Sequence, residues 1–184
     1  MELSYGVVGR TAVAQPGWSP PVGGFRAYES SVRIGAGPAA WQEATAAVMT
    51  WGVKTRSGFE VHAVDGGEPR VRLDADYTLV ARVGAFRIRE PVRVVDVVQT
   101  DDRCGFAYGT GVGHPVSGEE AFIVWRDPQG RVWLTLRSLT RPSTGLWRLL
   151  FPVLLVAQRW YRCRYQRALR PVTRRRTRCL PGRA

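Results

Sequence analysis

The side chains best suited to chemistry in this 184-residue chain lie in one stretch, Gly105-Phe106-Ala107-Tyr108-Gly109-Thr110-Gly111-Val112-Gly113-His114-Pro115-Val116-Ser117-Gly118-Glu119-Glu120-Ala121-Phe122. Histidine is the side chain that changes charge near neutrality. His114 with a neighbouring glutamate could therefore act as a base and the group that orients it, with Tyr108 as a further candidate. Spacing restricts this idea. Adjacent residues on a strand point to opposite faces, so at most one of Glu119 and Glu120 can face a cavity. No nucleophile motif accompanies them. The two histidines, His62 and His114, and the adjacent glutamates match no zinc-site spacing, so neither a metal nor a cofactor is expected. The structural alternative is a glycine-rich hairpin loop in which His114 and one glutamate satisfy backbone groups while Pro115 fixes the turn. The catalytic candidates are thus Tyr108, His114, Glu119 and Glu120, and the balance leans away from catalysis.

Arg141 stands just before Pro142 and the last helical segment. Its guanidinium could clamp a carboxylate or phosphate of a ligand. Alternatively it bridges to Glu119 or Glu120 and ties the loop to the helix entry.

The elements that must position these groups follow from periodicity. Residues 1–25 are broken by glycine and proline and read as an extended arm. Arg26 to Ile34 reads as a strand. Pro38 suits the first turn of a helix, and Trp41, Ala44, Val48 and Trp51 then fall on one helical face. From Phe59 to Thr140 the chain reads as strands. Val71, Leu73, Ala75, Tyr77, Leu79 and Ala81 alternate with polar residues. Phe86, Ile88, Val92 and Val94 continue the pattern, with Pro91 expected at an edge or bulge. A run at Cys104 to Tyr108 follows. The turn Asp127-Pro128-Gln129-Gly130 then joins a hairpin. Ser143 to Arg170 reads as a long helix with Pro152 inside it, predicting a kink or restart. One-sided strands need a cover, and the long helix is the element large enough to supply it. The fold class is α+β, a curved antiparallel sheet gripping a long C-terminal helix.

Charge divides the chain. Residues 1–158 carry 17 Lys and Arg against 15 acids, whereas residues 159–184 carry 10 arginines and no acid. Residues 1–170 form one expected domain with an extended N-terminal arm, and 171–184 a basic tail expected to be disordered. Arg174, Arg175, Arg176 and Arg178 could touch an anionic membrane or nucleic acid, but no nucleic-acid motif accompanies them. Lys54 is the single lysine of the chain. The three cysteines fit no metal or redox spacing and suit a reducing cytoplasm. No signal peptide or membrane span is read.

The loop resembles the signature of an uncharacterised family, a domain of unknown function, whose members carry GF-x-YGT-x-x-GHP-x-x-GEEAF. Tyr5-Gly6-Val7-Val8-Gly9-Arg10-Thr11 resembles that family's N-terminal motif, Gly35, Gly37 and Trp51 also fit, and Thr140-Arg141-Pro142 stands where the family usually has Ser-Arg-Pro. The chain departs from the pattern at Gly111-Val112, where the family favours Leu-Pro, which is expected to loosen the loop. The resemblance implies a helix-grip, START-like fold (Bet v 1-like), whose wider superfamily often holds lipids or other apolar molecules between sheet and helix.

Together these readings favour a binding module for a small apolar or lipid-like ligand. Tyr77, Tyr108, Trp133 and Val153 are expected to line the cavity, with His114 and Arg141 at its mouth. The alternatives are an enzyme acting on an apolar substrate through the His114 loop, and a membrane-peripheral or interaction protein using the arginine-rich C-terminus.

Overall fold

A computed structural model describes residues 1–20, 23–83, 86–143 and 146–170, and only the backbone of 83, 86, 146–150 and 153. Arg174, Arg175, Arg176, Arg178 and the Val153 side chain lie outside the described residues. The elements run β1 (Arg26–Ala36), α1 (Gly37–Val48), α2 (Gly52–Thr55), β2 (Phe59–Ala63), β3 (Asp76–Val83), β4 (Phe86–Gln99), β5 (Arg103–Thr110), β6 (Val116–Arg126), β7 (Arg131–Pro142) and α3 (Leu146–Ala168). The strands form one antiparallel, curved sheet in the order β1-β7-β6-β5-β4-β3-β2. Register shifts between Arg33 and Gly35 in β1 and between Val94 and Asp96 in β4 insert bulges, which bend a strand and increase its twist.

Strand alternation builds two apolar layers. The larger gathers Tyr77, Leu79, Val92, Val94, Phe106, Tyr108, Phe122, Val124, Leu134 and Leu136 with Val48, Trp51 and Val53 of the α1–α2 region and Tyr165 and Leu169 of α3. The strands β1 and β2 are consecutive in sequence yet lie at opposite edges, so α1 and α2 must carry the chain across the sheet between them. The helix α3 packs on β7, β1, β6 and α2. The expected apolar stripe of α1 does enter this core, with Ala44, Val48 and Trp51 buried. The smaller layer, Val13, Val98, Ala107, Ala121 and Ile123, lies under the N-terminal arm.

The arm is fixed by polar contacts. Arg137 is buried, and its guanidinium donates to the carbonyls of Ala12 at 2.7 Å, Gln15 at 3.1 Å and Pro16 at 3.1 Å, and to Glu29 at 2.8 Å. A buried guanidinium is tolerated only when its fork of donors is satisfied, and here backbone carbonyls do most of that.

Two local expectations are corrected. Residues 71–75 are not strand. The Val71 N–H donates to the Met49 carbonyl at 2.9 Å, and Asp74 takes a positive φ of 61°. The chain therefore turns there before Asp76, and Leu73 is exposed. Pro91 lies in an inner strand, opposite Thr78. Its carbonyl accepts from Gly111 N–H at 2.8 Å, one residue beyond the last β4–β5 pair, Val92 with Thr110. N–H and C=O of one strand residue point the same way, so the missing donor faces the end of that ladder. The helix α3 spans Pro152 rather than restarting after it.

Candidate functional site

The site is built around the single lysine. Trp51 adopts a left-handed conformation, φ 59°, between α1 and the one-turn α2. That reversal turns Lys54 into the interior, where it is 3% exposed. Its ammonium lies 4.5 Å from the ring centre of Phe59, 4.7 Å from Tyr165, 5.1 Å from Tyr108 and 5.7 Å from Phe122. These are cation–π distances. The ammonium also pairs with Glu120 Oε2 at 2.9 Å and donates to the Tyr165 hydroxyl at 2.7 Å. Tyr108, directly opposite Glu120 across β5 and β6, donates its hydroxyl to the same carboxylate oxygen. Burial alone would raise the Glu120 carboxyl. The Lys54 ammonium and the bonds from Tyr108 and Lys54 more than offset this and hold it below the usual carboxylate range. Burial, and secondarily Glu120, pushes the Tyr108 and Tyr165 phenols upward, so both stay protonated.

A second carboxylate faces the same space. Glu90 occupies the inward register of β4, between Ile88 and Val92, with 17% of its side chain exposed. Its nearest basic group is His114 Nε2, 3.7 Å away and beyond hydrogen-bond length. Burial pushes the Glu90 carboxyl up to about 7, with Lys54 opposing and Glu120 adding to the rise. His114 is buried, and its Nδ1 is engaged by the backbone of Val116, 3.1 Å from N and 2.9 Å from O. Burial and then the Lys54 charge push this imidazole down to about 3. It is therefore neutral at ordinary pH and a weak base.

Between these groups and α3 lies a cavity of about 110 Å³. Phe59, Ala81, Ile88, Leu154, Ala157 and Tyr161 give it apolar walls, and Lys54, Glu90, Tyr108, His114, Glu120 and Tyr165 its polar part. Engineered apolar cavities of ~150 Å³ take benzene. This space is somewhat smaller than that and is partly open. Among the described residues, no three His, Cys, Asp or Glu side chains come together to hold a metal ion.

The sequence-derived residues separate in space. Tyr108, His114 and Glu120 meet at the cavity. Glu119 turns to the opposite face and binds the arm: Tyr5 donates to it at 3.0 Å, as do Thr11 N–H at 3.0 Å and Thr11 Oγ1 at 3.1 Å. Arg141 does not line the cavity, and among the described residues it makes no bridge to a glutamate. It donates to Ser117 Oγ at 3.2 Å and the Ser4 carbonyl at 3.3 Å, with Phe25 under its guanidinium. Tyr77 is buried beside Trp51, its hydroxyl bonded to the Arg70 carbonyl. Trp133 stacks on Trp125. Gly111 is not slack, because its N–H is bonded to Pro91, it bridges to Leu3, and Val112 N–H donates to the Glu2 carbonyl at 3.1 Å.

The loop signature thus divides by strand alternation. Tyr108 and Glu120 face the cavity, and Glu119 receives the N-terminal motif. Gly109 and Gly118 are needed for close approach. A Cβ on Gly109 would stand 2.2 Å from the Tyr5 hydroxyl, and one on Gly118 1.9 Å from the Leu139 carbonyl, at a φ of 144°.

The residues that sequence reasoning left out are Lys54, Glu90, Phe59, Tyr161 and Tyr165. Two of them left a signal in the sequence. Lys54 is the one lysine among 27 basic residues, where arginine serves everywhere else. Glu90 breaks an otherwise apolar inward series, Ile88, Val92 and Val94.

A seven-stranded antiparallel sheet covered by a C-terminal helix, with a cavity between them, defines a helix-grip fold. The fold matches two solved structures, both at identities that speak to fold alone. The hypothetical protein jhp0584 from Helicobacter pylori has a TM-score of 0.58 at 10% identity, covering 79% of this chain and 84% of that one. TTHA0849 from Thermus thermophilus has a TM-score of 0.53 at 13% identity, covering 78% and 94%. The chain belongs to the family described as domain of unknown function DUF1990, whose model matches residues 4–168. A UPF0548 protein of Deinococcus radiodurans is 32% identical over 176 residues, 91% of this chain and 83% of that protein. A UPF0548 protein of Arabidopsis thaliana is 26% identical over 144 residues, 75% and 68% respectively. Among the described residues no helix is long and apolar enough to cross a membrane.

Proposed function

We propose that this protein is a cytoplasmic binding module for a small, largely apolar molecule held between the sheet and α3. The observation that carries the reading is a cavity with apolar walls whose polar groups are gathered at one place, around Lys54, Glu120 and Glu90. That is the pattern of a ligand pocket, in which apolar walls give affinity and a few placed polar groups fix orientation. Cys104 and Cys163 are free thiols, in keeping with a reducing compartment. The supposed base of a catalytic loop, His114, is buried, neutral and held by backbone, which favours binding over His114-driven catalysis.

The test is native mass spectrometry of the protein purified from its own host, followed by denaturing extraction. One ring-sized apolar species at stoichiometric level is expected. A stoichiometric long-chain lipid would contradict the ring-sized ligand proposed here. An empty protein that also takes up no ring-sized compound when saturated with a panel of them would contradict the reading altogether.

A further inference from the structure

Two carboxylates point into the cavity, and only one is matched. Glu120 is neutralised by Lys54 at 2.9 Å and by the Tyr108 hydroxyl. Glu90 accepts no hydrogen bond from any described residue. Among the described residues, the basic group nearest to it, His114 Nε2, lies 3.7 Å away. The groups facing Glu90 are Lys54 from α2, Tyr108 from β5, His114 from the loop, Glu120 from β6, and Tyr161 and Tyr165 from α3. Lys54 is the cation of this set, and Glu120 already balances it. From the described residues, an anionic ligand would therefore meet no free positive charge and one opposing carboxylate, whereas a cationic one would meet an unpaired carboxylate. The walls favour the same choice. Phe59, Tyr108 and Tyr165 already surround one ammonium, that of Lys54, and they line the cavity together with Tyr161. Aromatic rings beside a carboxylate are the chemistry that recognises a substituted ammonium.

We infer that the ligand is a small organic amine, with a ring-sized apolar body under α3 and its ammonium against Glu90 and the tyrosine rings. The inference rests on the ligand-binding reading above. Within the site, Lys54 and Glu120 form a fixed internal pair and Glu90 is the specificity-determining residue. A charged hydrogen bond in a desolvated site is strong, so exchanging the ammonium for a neutral group costs about tenfold or more in affinity. Since the Glu90 carboxyl titrates at about 7, an amine must compete with its proton. Affinity is expected to weaken by about tenfold from pH 8 to pH 6.

The experiment compares three probes of one shape, benzylamine, benzyl alcohol and benzoate, by calorimetric or ligand-observed NMR titration of the full chain and of Glu90→Gln. The expected result is benzylamine tightest at pH 8, weakening toward pH 6, with benzyl alcohol independent of pH. In Glu90→Gln the amine should fall to the level of the alcohol while the alcohol itself still binds, which shows the variant to be folded. Equal binding of amine and alcohol, preference for benzoate, or an amine preference that survives Glu90→Gln would overturn the inference and leave the cavity reading standing. Binding of none of the three at millimolar concentration would overturn both.

Discussion

Lys54 and Glu120 meet at 2.9 Å in the interior of the protein, one from a single turn of helix and the other from the middle of an inner strand. Removing two charges from water costs several kcal/mol for each ion, so a buried pair stands only while both members are present. Here Tyr108 and Tyr165 satisfy the remaining bonds and four rings surround the ammonium. The pair fixes the polar part of the cavity and ties α2 to the sheet.

Truncating either partner should therefore be costly. Lys54→Met or Glu120→Gln alone is expected to destabilise the fold by about 3–5 kcal/mol, because each leaves one charge buried and unpaired. The double variant should lose less than the sum of the two. Urea denaturation of the four proteins gives the coupling directly. Additive losses would show that the two charges do not depend on each other. Lys54→Arg should not restore stability, since a planar guanidinium does not replace a compact ammonium within four rings.

Stability should depend on pH through two groups of opposite sign. Glu90 is raised in the fold from 4.5 to about 7, so its contribution is full below about 4.5 and is lost as pH rises through about 7. His114 is lowered from 6.5 to about 3, so its contribution is full above about 6.5 and is lost as pH falls toward 3. Between about pH 4.5 and 6.5 the two slopes oppose each other. Glu90→Gln should remove the loss at high pH and be the more stable protein at pH 8, by on the order of 3 kcal/mol. His114→Gln should remove the loss at low pH. Denaturant midpoints from pH 3 to pH 8 check both signs, and a Glu90→Gln variant less stable than the parent at pH 8 would contradict the assignment.

The arm gives an independent test. Arg137→Met removes the donors that hold the carbonyls of Ala12, Gln15 and Pro16. Gly109→Ala drives a Cβ into the Tyr5 hydroxyl. Both should release residues 1–20 to limited proteolysis, while intact parent protein resists cleavage there. Arg137→Lys should behave like Arg137→Met, because a point charge on a flexible stem cannot reach carbonyls in several directions at once.

These residues show how far the sequence could be read. The β6–β7 hairpin was legible because Asp127, Pro128 and Gly130 mark its turn locally, and Gly130 indeed takes a positive φ of 73°. The opposite facing of Glu119 and Glu120 followed from strand geometry alone. The segment 71–75 imitated a strand because Val71 is apolar for another reason, its packing against the α1–α2 region. The uniqueness of Lys54 was visible in the sequence, but its place in the site was not. Its inward course depends on the left-handed turn at Trp51 and on a cage assembled from β2, β5, β6 and α3, elements far apart in sequence. Arg141 was placed at the cavity because it precedes the covering helix. The side chain instead turns back to the arm, where the Ser4 carbonyl and the Phe25 ring receive it.

The central claim is that a small molecule occupies the space beneath α3, and a cavity-filling variant tests it most directly. Ala157 lies on the cavity wall, and Ala157→Phe would place a ring where the ligand body is expected. Titration of benzylamine into ¹⁵N-labelled protein at pH 8 should shift the amide signals of Ala81, Ile88, Glu90, Ala157 and Tyr161 in the parent. Ala157→Phe should retain the folded spectrum and lose those shifts. Shifts confined to residues away from the cavity, or binding that survives Ala157→Phe unchanged, would contradict the account.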